Sequence, residues 1–531
     1  MGSTSIAASA DDGGPTDPAG GATGNGDGSD AGSAGPADEG PSDESGTTGA
    51  PVVEPEPLAW YPCPTFTGGT GTDAECAEVM VPLDWADPEG QQIELFVKRL
   101  GGGNGSHQMW MLMGGPGGSG IGYEGQGSGL AQSDGLDIYL LDHRGTGRSS
   151  RLTCSAEGPA TPGGTGIEAG KFSPCLDELV EQWGDGLGQF TTTNAARDLG
   201  FLIDSSLAEV GEQVVHVFGG SYGTYWAHRY LQIFPDQADG VSMLGVAAPG
   251  FDFRYWERDF NEASEGYLDA CSEDPFCSSR LGPDAVVAAH DILDALDQGH
   301  CAEAGLDRPT LNAFFASRMS WYYYERVLVP AVLHRLDRCD PEDVAALQNA
   351  APLMQNPTSF LDDPLTMAPL LGGHIRYGEM YKEPVPTAEE LQAITDDAIF
   401  SFGPSASTLP VHALWPAYEP DEFVDGYAQT DTPVLMLEGE FDPNSPLEQA
   451  EVLGQMLNGD NQRFYSLPGG VHSWNSPMVG GGDCALSLWY DFINDPESEP
   501  YDCRVDMLPL DFGNDAALAQ QYFGVGHLYD N

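Results

Sequence analysis

One stretch near the middle of this chain leaves little freedom in how it can fold. Val214-Val215-His216-Val217-Phe218 is a β-branched and aromatic run of the kind buried on both faces. It leads directly into Gly219-Gly220-Ser221-Tyr222-Gly223, and helical spacing follows at once over residues 222–234. A serine held on a sharp strand-to-helix turn needs small residues on both sides, which Gly219 and Gly223 supply. Such a turn exposes the hydroxyl and aims the first turn of the next helix at negative charge developing beside it. Ser221 is therefore the candidate nucleophile. The plainer reading, a glycine-rich turn between a strand and a helix, carries no chemistry.

The flanks repeat the same alternation. Residues 78–83, 93–100, 109–113 and 137–141 read as strands, 195–210 as a helix and 240–246 as a further strand. Strand and helix in alternation predict a parallel sheet with crossover helices. Residues 155–190 read as loop-rich. From about 250 to 425 the alternation gives way to helical patterns such as 311–336 and 388–400. Strands resume at 433–437 and 463–467, with helices near 447–457 and 485–493. The expectation is an open α/β domain in two parts, 57–249 and 426–531, interrupted by a mostly helical insertion at 250–425.

A serine hydroxyl needs a base, and the base needs an orienting acid. On open α/β sheets both belong at the carboxyl ends of strands. Asp442 follows the strand at 433–437, with Glu440 as its nearest competitor, and His472 follows the strand at 463–467. The order Ser, Asp, His suits this architecture. His143, which also follows a strand, is the one rival base, but it precedes Ser221. The loop Gly114-Gly115-Pro116-Gly117-Gly118-Ser119-Gly120 follows another strand. Its amides, with Gly115 foremost, together with the Tyr222 amide would form an oxyanion hole. The same glycines satisfy G-x-G-x-x-G, with Asp137 at a distance suited to a ribose contact, so a dinucleotide site is a rival reading. Pro116 stiffens that turn, and no clear crossover helix fills the span to Asp137. No cofactor and no metal is expected.

Charge and cysteines bound the setting. Twenty Lys+Arg against 82 Asp+Glu give a formal charge of −62. Eleven of the acids fall in residues 1–56, a Gly/Ser/Pro-rich stretch without Lys or Arg that is expected to be a disordered tether. The remaining −51 excludes nucleic acid as a partner, since no basic surface exists to neutralise phosphates. It reads as a solvated surface or as adaptation to a saline habitat. No apolar run is long enough to span a bilayer. The ten cysteines fall as Cys63/Cys76, Cys154/Cys175, Cys271/Cys277, Cys301/Cys339 and Cys484/Cys503. Five local disulfides in an oxidising compartment are expected, although sequence does not fix the connectivity. Residues 6–10 are too short an apolar core for a signal peptide, so any export signal is expected to have been removed already.

At these motifs the chain resembles the proline-iminopeptidase-like serine peptidases of the α/β-hydrolase fold, and within them the secreted bacterial tripeptidyl aminopeptidases. Gly114–Gly120 is similar to that family's glycine loop, and Gly219–Thr224 to its nucleophile elbow. Asp142-His143-Arg144-Gly145-Thr146-Gly147-Arg148-Ser149 resembles its D-x-R-G-x-G-x-S element, Thr191–Thr193 with Asp198-Leu199 the helix before the nucleophile, and Thr432–Pro446 the acid-bearing segment. Met113 stands where iminopeptidases usually carry His, and Val471 where a small residue is common.

The resemblance implies an exported, secreted, periplasmic or surface-tethered serine exopeptidase acting through Ser221, Asp442 and His472. Its partners would be peptides with a free N-terminus, which it would cleave in tripeptidyl or prolyl units. A carboxylic-ester hydrolase is the alternative, and a catalytically silent binding protein of the same fold a third. It also implies that the helical insertion roofs the site and that one of its carboxylates meets the substrate ammonium. Glu257, Glu262 and Glu325 are candidates, each better explained as ordinary surface charge or helix packing. Trp256, Trp321 and Tyr322–Tyr324 could form apolar subsites. Oligomeric state is open.

Overall fold

The computed structural model describes residues 53–103, 105–132, 136–157, 171–355, 365–403 and 405–530. The expected tether at 1–56 therefore lies outside the described residues up to residue 52. Nine strands build one sheet: β1 Tyr61–Cys63, β2 Ala74–Pro82, β3 Gln92–Leu100, β4 His107–Leu112, β5 Leu136–Asp142, β6 Val214–Gly220, β7 Gly240–Leu244, β8 Val434–Gly439 and β9 Gln462–Leu467. Their order across the sheet is β1-β2-β3-β5-β4-β6-β7-β8-β9. From β5 to β9 every neighbouring pair is parallel, and β1, β2, β3 and β5 pair antiparallel. The central parallel strands are largely apolar because helices cover both faces. Met109, Trp110, Met111, Val217, Val241 and Met436 are all essentially inaccessible.

The chain crosses the sheet so that β4, β6, β8 and β9 end on the same edge. Their following loops hold the glycine loop, Ser221, Asp442 and His472. Topology therefore gathers four short segments, separated by up to several hundred residues, at one edge of the sheet.

Between β7 and β8 the chain is helical, with Trp256–Glu273, Ala285–Asp297, Arg308–Trp321, Leu328–Arg338 and Pro341–Gln355 among its elements. The pattern expected as one helix over 311–336 is two, because residues 322–327 turn the chain between Trp321 and Leu328. These helices enclose their own apolar cluster around Phe260, Leu293, Phe315, Val332 and Leu347. Two further features qualify the sequence expectation. The segment after residue 510 packs into this helical cluster through Phe512, Tyr522, Phe523 and Tyr529. In turn, the helix Pro369–Glu379 packs through Leu370, Leu371 and Ile375 into the cluster that lines the sheet.

The loop-rich reading of 155–190 misses an amphipathic helix, Phe172–Trp183, which buries Cys175 and Leu179. Strand β1 is also absent from the sequence reading. At three residues it is too short for periodicity to register, and its pairing with β2 is held by the Cys63–Cys76 disulfide. All ten cysteines are paired as nearest neighbours in sequence. No helix of the described residues is long and apolar enough to cross a membrane.

Candidate active site

β6 delivers the chain into a turn that few side chains tolerate. Ser221 sits at φ 56°, ψ −129°, a region that side chains other than glycine occupy only when the surroundings enforce it. The enforcement is visible. The Ser221 amide donates to the Leu244 carbonyl at 2.9 Å, while Thr224 donates its amide (2.8 Å) and its hydroxyl (2.7 Å) to the Ser221 carbonyl. Thr224 Oγ1 in turn accepts the Ala247 amide. The flanking glycines are required by space: a Cβ on Gly223 would lie 2.1 Å from the Leu112 carbonyl oxygen, and one on Gly219 2.2 Å from that of Gly223. The helix Tyr222–Ile233 starts immediately after the serine, so its first amides face the same space as the hydroxyl.

The glycine loop after β4 lies against this turn. A Cβ on Gly114 would stand 2.7 Å from Ser221 Cβ, and Gly115 lines the same cavity as Ser221. The rival dinucleotide reading fails on topology. Asp137 pairs in register with Gln108 at the start of β5, the end of the sheet opposite the glycine loop, and accepts the Gly103 and Gly105 amides there.

Asp442 is fully buried in the loop after β8, and His472 reaches it from the loop after β9. His472 Nδ1 donates to Asp442 Oδ2 at 2.5 Å. The other carboxylate oxygen accepts the amides of Asn444 (2.8 Å) and Ser445 (3.1 Å), and Ser445 Oγ donates to Oδ2 at 3.1 Å. Burial pushes the Asp442 carboxyl up, but the His472 imidazole and the surrounding donors together outweigh it and hold the group below its ordinary value. With Nδ1 occupied, Nε2 is the ring nitrogen left to act as a base. Gly245 makes room for the ring: it stands at φ +67°, and a Cβ there would lie 2.6 Å from His472 Cε1.

The competitors are engaged elsewhere. Glu440 is exposed and accepts the Gly469 amide at 2.7 Å. His143 is buried beneath the elbow, donating Nδ1 to the Arg144 carbonyl at 2.6 Å and standing edge-on to Trp226. Burial pushes its imidazole down to about 3. Its neighbour Arg144 accounts for the D-x-R-G element. The guanidinium grips both oxygens of Asp198 (2.6 and 2.7 Å) and donates to the carbonyls of Leu83 and Gln189. That fork fixes the loop after β5 to the helix Thr192–Val210 that precedes β6.

Ser221 and His472 open onto one cavity of about 380 Å³, walled by Met113, Tyr123, Trp256, Trp321 and Trp474. A narrower chamber of about 50 Å³ continues past Ser221 between Tyr225, Ala247, Phe251 and Met380. The Trp321 ring stands edge-on to the His472 imidazole, with centroids 5.2 Å apart. Trp256 and Trp321 are thus cavity residues, whereas Tyr323 and Tyr324 line a separate cleft with Arg326.

None of Glu257, Glu262 and Glu325 lines the cavity. Glu257 is buried and accepts the Phe402 amide; Glu262 is exposed; Glu325 pairs with Arg318 and accepts the Tyr522 hydroxyl. The one carboxylate among the described lining residues is Glu379, which the sequence reading missed. It is fully committed: Oε1 accepts the Thr192 amide (2.9 Å) and the Tyr418 hydroxyl (2.7 Å), and Oε2 faces Arg229 at 3.3 Å. Among the described residues no group of three or more His, Cys, Asp or Glu is arranged to hold a metal ion.

Residues 110–280 match the alpha/beta hydrolase fold family. Over 208 residues the chain is 30% identical to a tripeptidyl aminopeptidase of Streptomyces lividans, covering 35% of this chain and 38% of that protein. Over 286 residues it is 26% identical to the serine protease Hip1 of Mycobacterium tuberculosis, covering 46% and 52%. The chain thus spans about half the length, or less, of these curated relatives. A solved proline iminopeptidase of Mycobacterium smegmatis is 13% identical with a TM-score of 0.31, covering 75% of this chain and 91% of that one.

Proposed function

With residues 110–280 in the alpha/beta hydrolase fold family, we propose that the protein is an exported serine exopeptidase that releases tripeptidyl or prolyl units from the free N-terminus of peptides. The observation that carries this reading is the shared cavity of Ser221 and the Asp442-bound His472, roofed by helices of the 250–425 insertion.

His472 Nε2 takes the proton of Ser221 Oγ as that oxygen attacks the scissile carbonyl. Asp442 holds the imidazole by Nδ1 and stabilises the imidazolium. The amides of Gly115 and Tyr222 receive the oxyanion, the latter reinforced by the helix it begins. His472 then passes its proton to the leaving amine, and water releases the acyl-enzyme by the same route. The relatives named tripeptidyl aminopeptidase and serine protease favour peptides over other acyl compounds. A largely apolar cavity roofed by helices suits the end of a chain better than its middle. The cavity carboxylate Glu379 is already paired, so the substrate ammonium would be met beyond the described lining. The five disulfides favour an oxidising compartment and hence export.

A fluorophosphonate probe should label the native protein and fail on S221A. The native enzyme should cleave unblocked peptides and leave their N-acetylated forms intact, as read by mass spectrometry. An unlabelled native protein would remove the triad. Equal cleavage of blocked peptides, or turnover of simple esters alone, would replace the exopeptidase reading with the ester hydrolase.

A further inference from the structure

Beneath the Asp442–His472 pair lies a second acid that the mechanism above does not use. Glu438 is the penultimate residue of β8, the single charged residue in an otherwise apolar strand, and its side chain is entirely shut off from solvent. Its carboxyl oxygens accept the Val246 amide at 2.5 Å and the Gly439 amide at 3.2 Å. The same stretch brings it beside Asp442: the residue before Val246 is Gly245, where a Cβ would lie 3.4 Å from Asp442 Oδ2, and the two carboxyls act on each other as hydrogen-bonding neighbours. Two carboxyl groups in hydrogen-bond contact, both without water, share one proton, because two adjacent anions in so dry a site repel too strongly to coexist. The imidazole decides which acid keeps the charge. Asp442 touches His472 and Glu438 does not, so the anion settles on Asp442 and the proton on Glu438.

We propose that Glu438 is a positioning residue, a neutral carboxyl that donates its proton to Asp442 and so fixes that carboxylate in place against His472. The inference rests on Asp442 and His472 serving Ser221. Burial, and next to it the negative charge of Asp442, hold the Glu438 carboxyl well above its ordinary range. The titratable groups facing it are Asp442, from the loop after its own strand, and beyond that carboxylate His472, from the loop after β9. On the β7 side the Val246 amide meets it from the stretch 245–250, which contains no ionisable side chain.

The arrangement has two consequences. A donor on Asp442 leaves that carboxylate one orientation, the one facing Nδ1. It also withdraws some of the negative charge felt by the imidazole, so Glu438 tempers the basicity of His472.

The test compares E438Q and E438L with the native enzyme, reading kcat and the acid limb of kcat/KM against pH. Gln keeps a donor and carries no charge, as the neutral acid does. E438Q is expected to hold kcat within about threefold and to leave the acid limb where it was. E438L removes the donor and is expected to lower kcat by roughly 10- to 100-fold. It should also move the acid limb up by roughly 0.5 to 1 in pH, because an unrelieved Asp442 holds the imidazolium more tightly. An acid limb that moves down in E438Q would show that Glu438 is an anion in the native enzyme and would overturn the proposal. So would an E438L enzyme with native kcat and native pH profile. If E438L fails to fold, E438Q decides alone, since the direction of its acid limb separates a neutral from a charged Glu438. Fluorophosphonate labelling of the native protein, lost in S221A, keeps failure here distinct from failure of the triad.

Discussion

Glu257 was a reasonable candidate for a substrate contact, and its surroundings assign it to the fold instead. Burial raises its carboxyl from 4.5 to about 7, although Ser401 and the Phe402 amide pull in the opposite direction. At pH below about 4.5 the acid is protonated in both folded and unfolded chains. Between there and about 7 the unfolded chain loses its proton while the folded one retains it. Stability present at acid pH is therefore lost as pH rises through that window, by up to about 3 kcal/mol. E257Q has no such titration, so the stability of the native protein relative to E257Q should fall between pH 5 and pH 8 in urea unfolding. A difference that does not change with pH would contradict this.

Residues of this kind were not legible in the sequence, because a buried carboxyl and a solvated one are written with the same letter. Ser221, Asp442 and His472 were singled out for the opposite reason: each follows an apolar run closely and sits among turn residues. Glu438 left one faint mark, a lone acid closing an apolar strand. Gly245 and Ser445 left none, since their roles arise only where β7, β8 and β9 come side by side.

At the scale of elements, periodicity identified the central strands and the helices that cross between them, because burial on a sheet or along a helix stripe imposes a regular pattern. It failed where the element is short or its apolar stripe is narrow and a disulfide adds to its anchoring. β1 depends on its partner strand and a disulfide, and Phe172–Trp183 is anchored through Cys175. The disulfides differ in what they restrain. Cys301–Cys339 closes 38 residues and ties the segment after the helix Ala285–Asp297 to the end of Leu328–Arg338, whereas Cys271–Cys277 closes only 6. Loop-closure entropy assigns about 4 kcal/mol to the first and about 2 kcal/mol to the second. The double variant C301S/C339S should therefore unfold at lower denaturant than C271S/C277S. Equal losses would mean that local packing of the sulfurs, rather than chain restraint, sets their contribution.

For the whole molecule, burial removes cations and carboxyls from the surface in nearly equal number. Eight basic side chains among the described residues are buried: Lys98, Arg99, Arg144, Arg229, Arg254, Arg318, Arg326 and Arg335. Several of them neutralise buried acids, as Lys98 does Glu124 and Arg335 does Asp343. Nine acids among the described residues are buried as well, Glu124, Asp137, Asp142, Asp198, Glu257, Asp343, Glu379, Glu438 and Asp442, so the exterior keeps the surplus of carboxylates that the composition implies, and these repel one another. Salt should relieve that repulsion, so the melting temperature is expected to climb as sodium chloride is raised from about 0.02 to about 1 M. A flat response would leave the acidity as an aid to solubility alone.

The order of the disulfides bears on how such a protein is made. First joins second, third joins fourth, and so on to the tenth cysteine, with no bridge enclosing or crossing another. If the chain is exported as proposed, it emerges from the translocation pore N-terminus first and presents each thiol just before its own partner. An oxidase that simply joins thiols in order of appearance makes the native set, and no isomerase is needed to undo a wrong pair. The helical segment between β7 and β8 can thus be cross-linked internally before β8 and β9 arrive with Asp442 and His472, so its helices are stapled before the candidate site is complete.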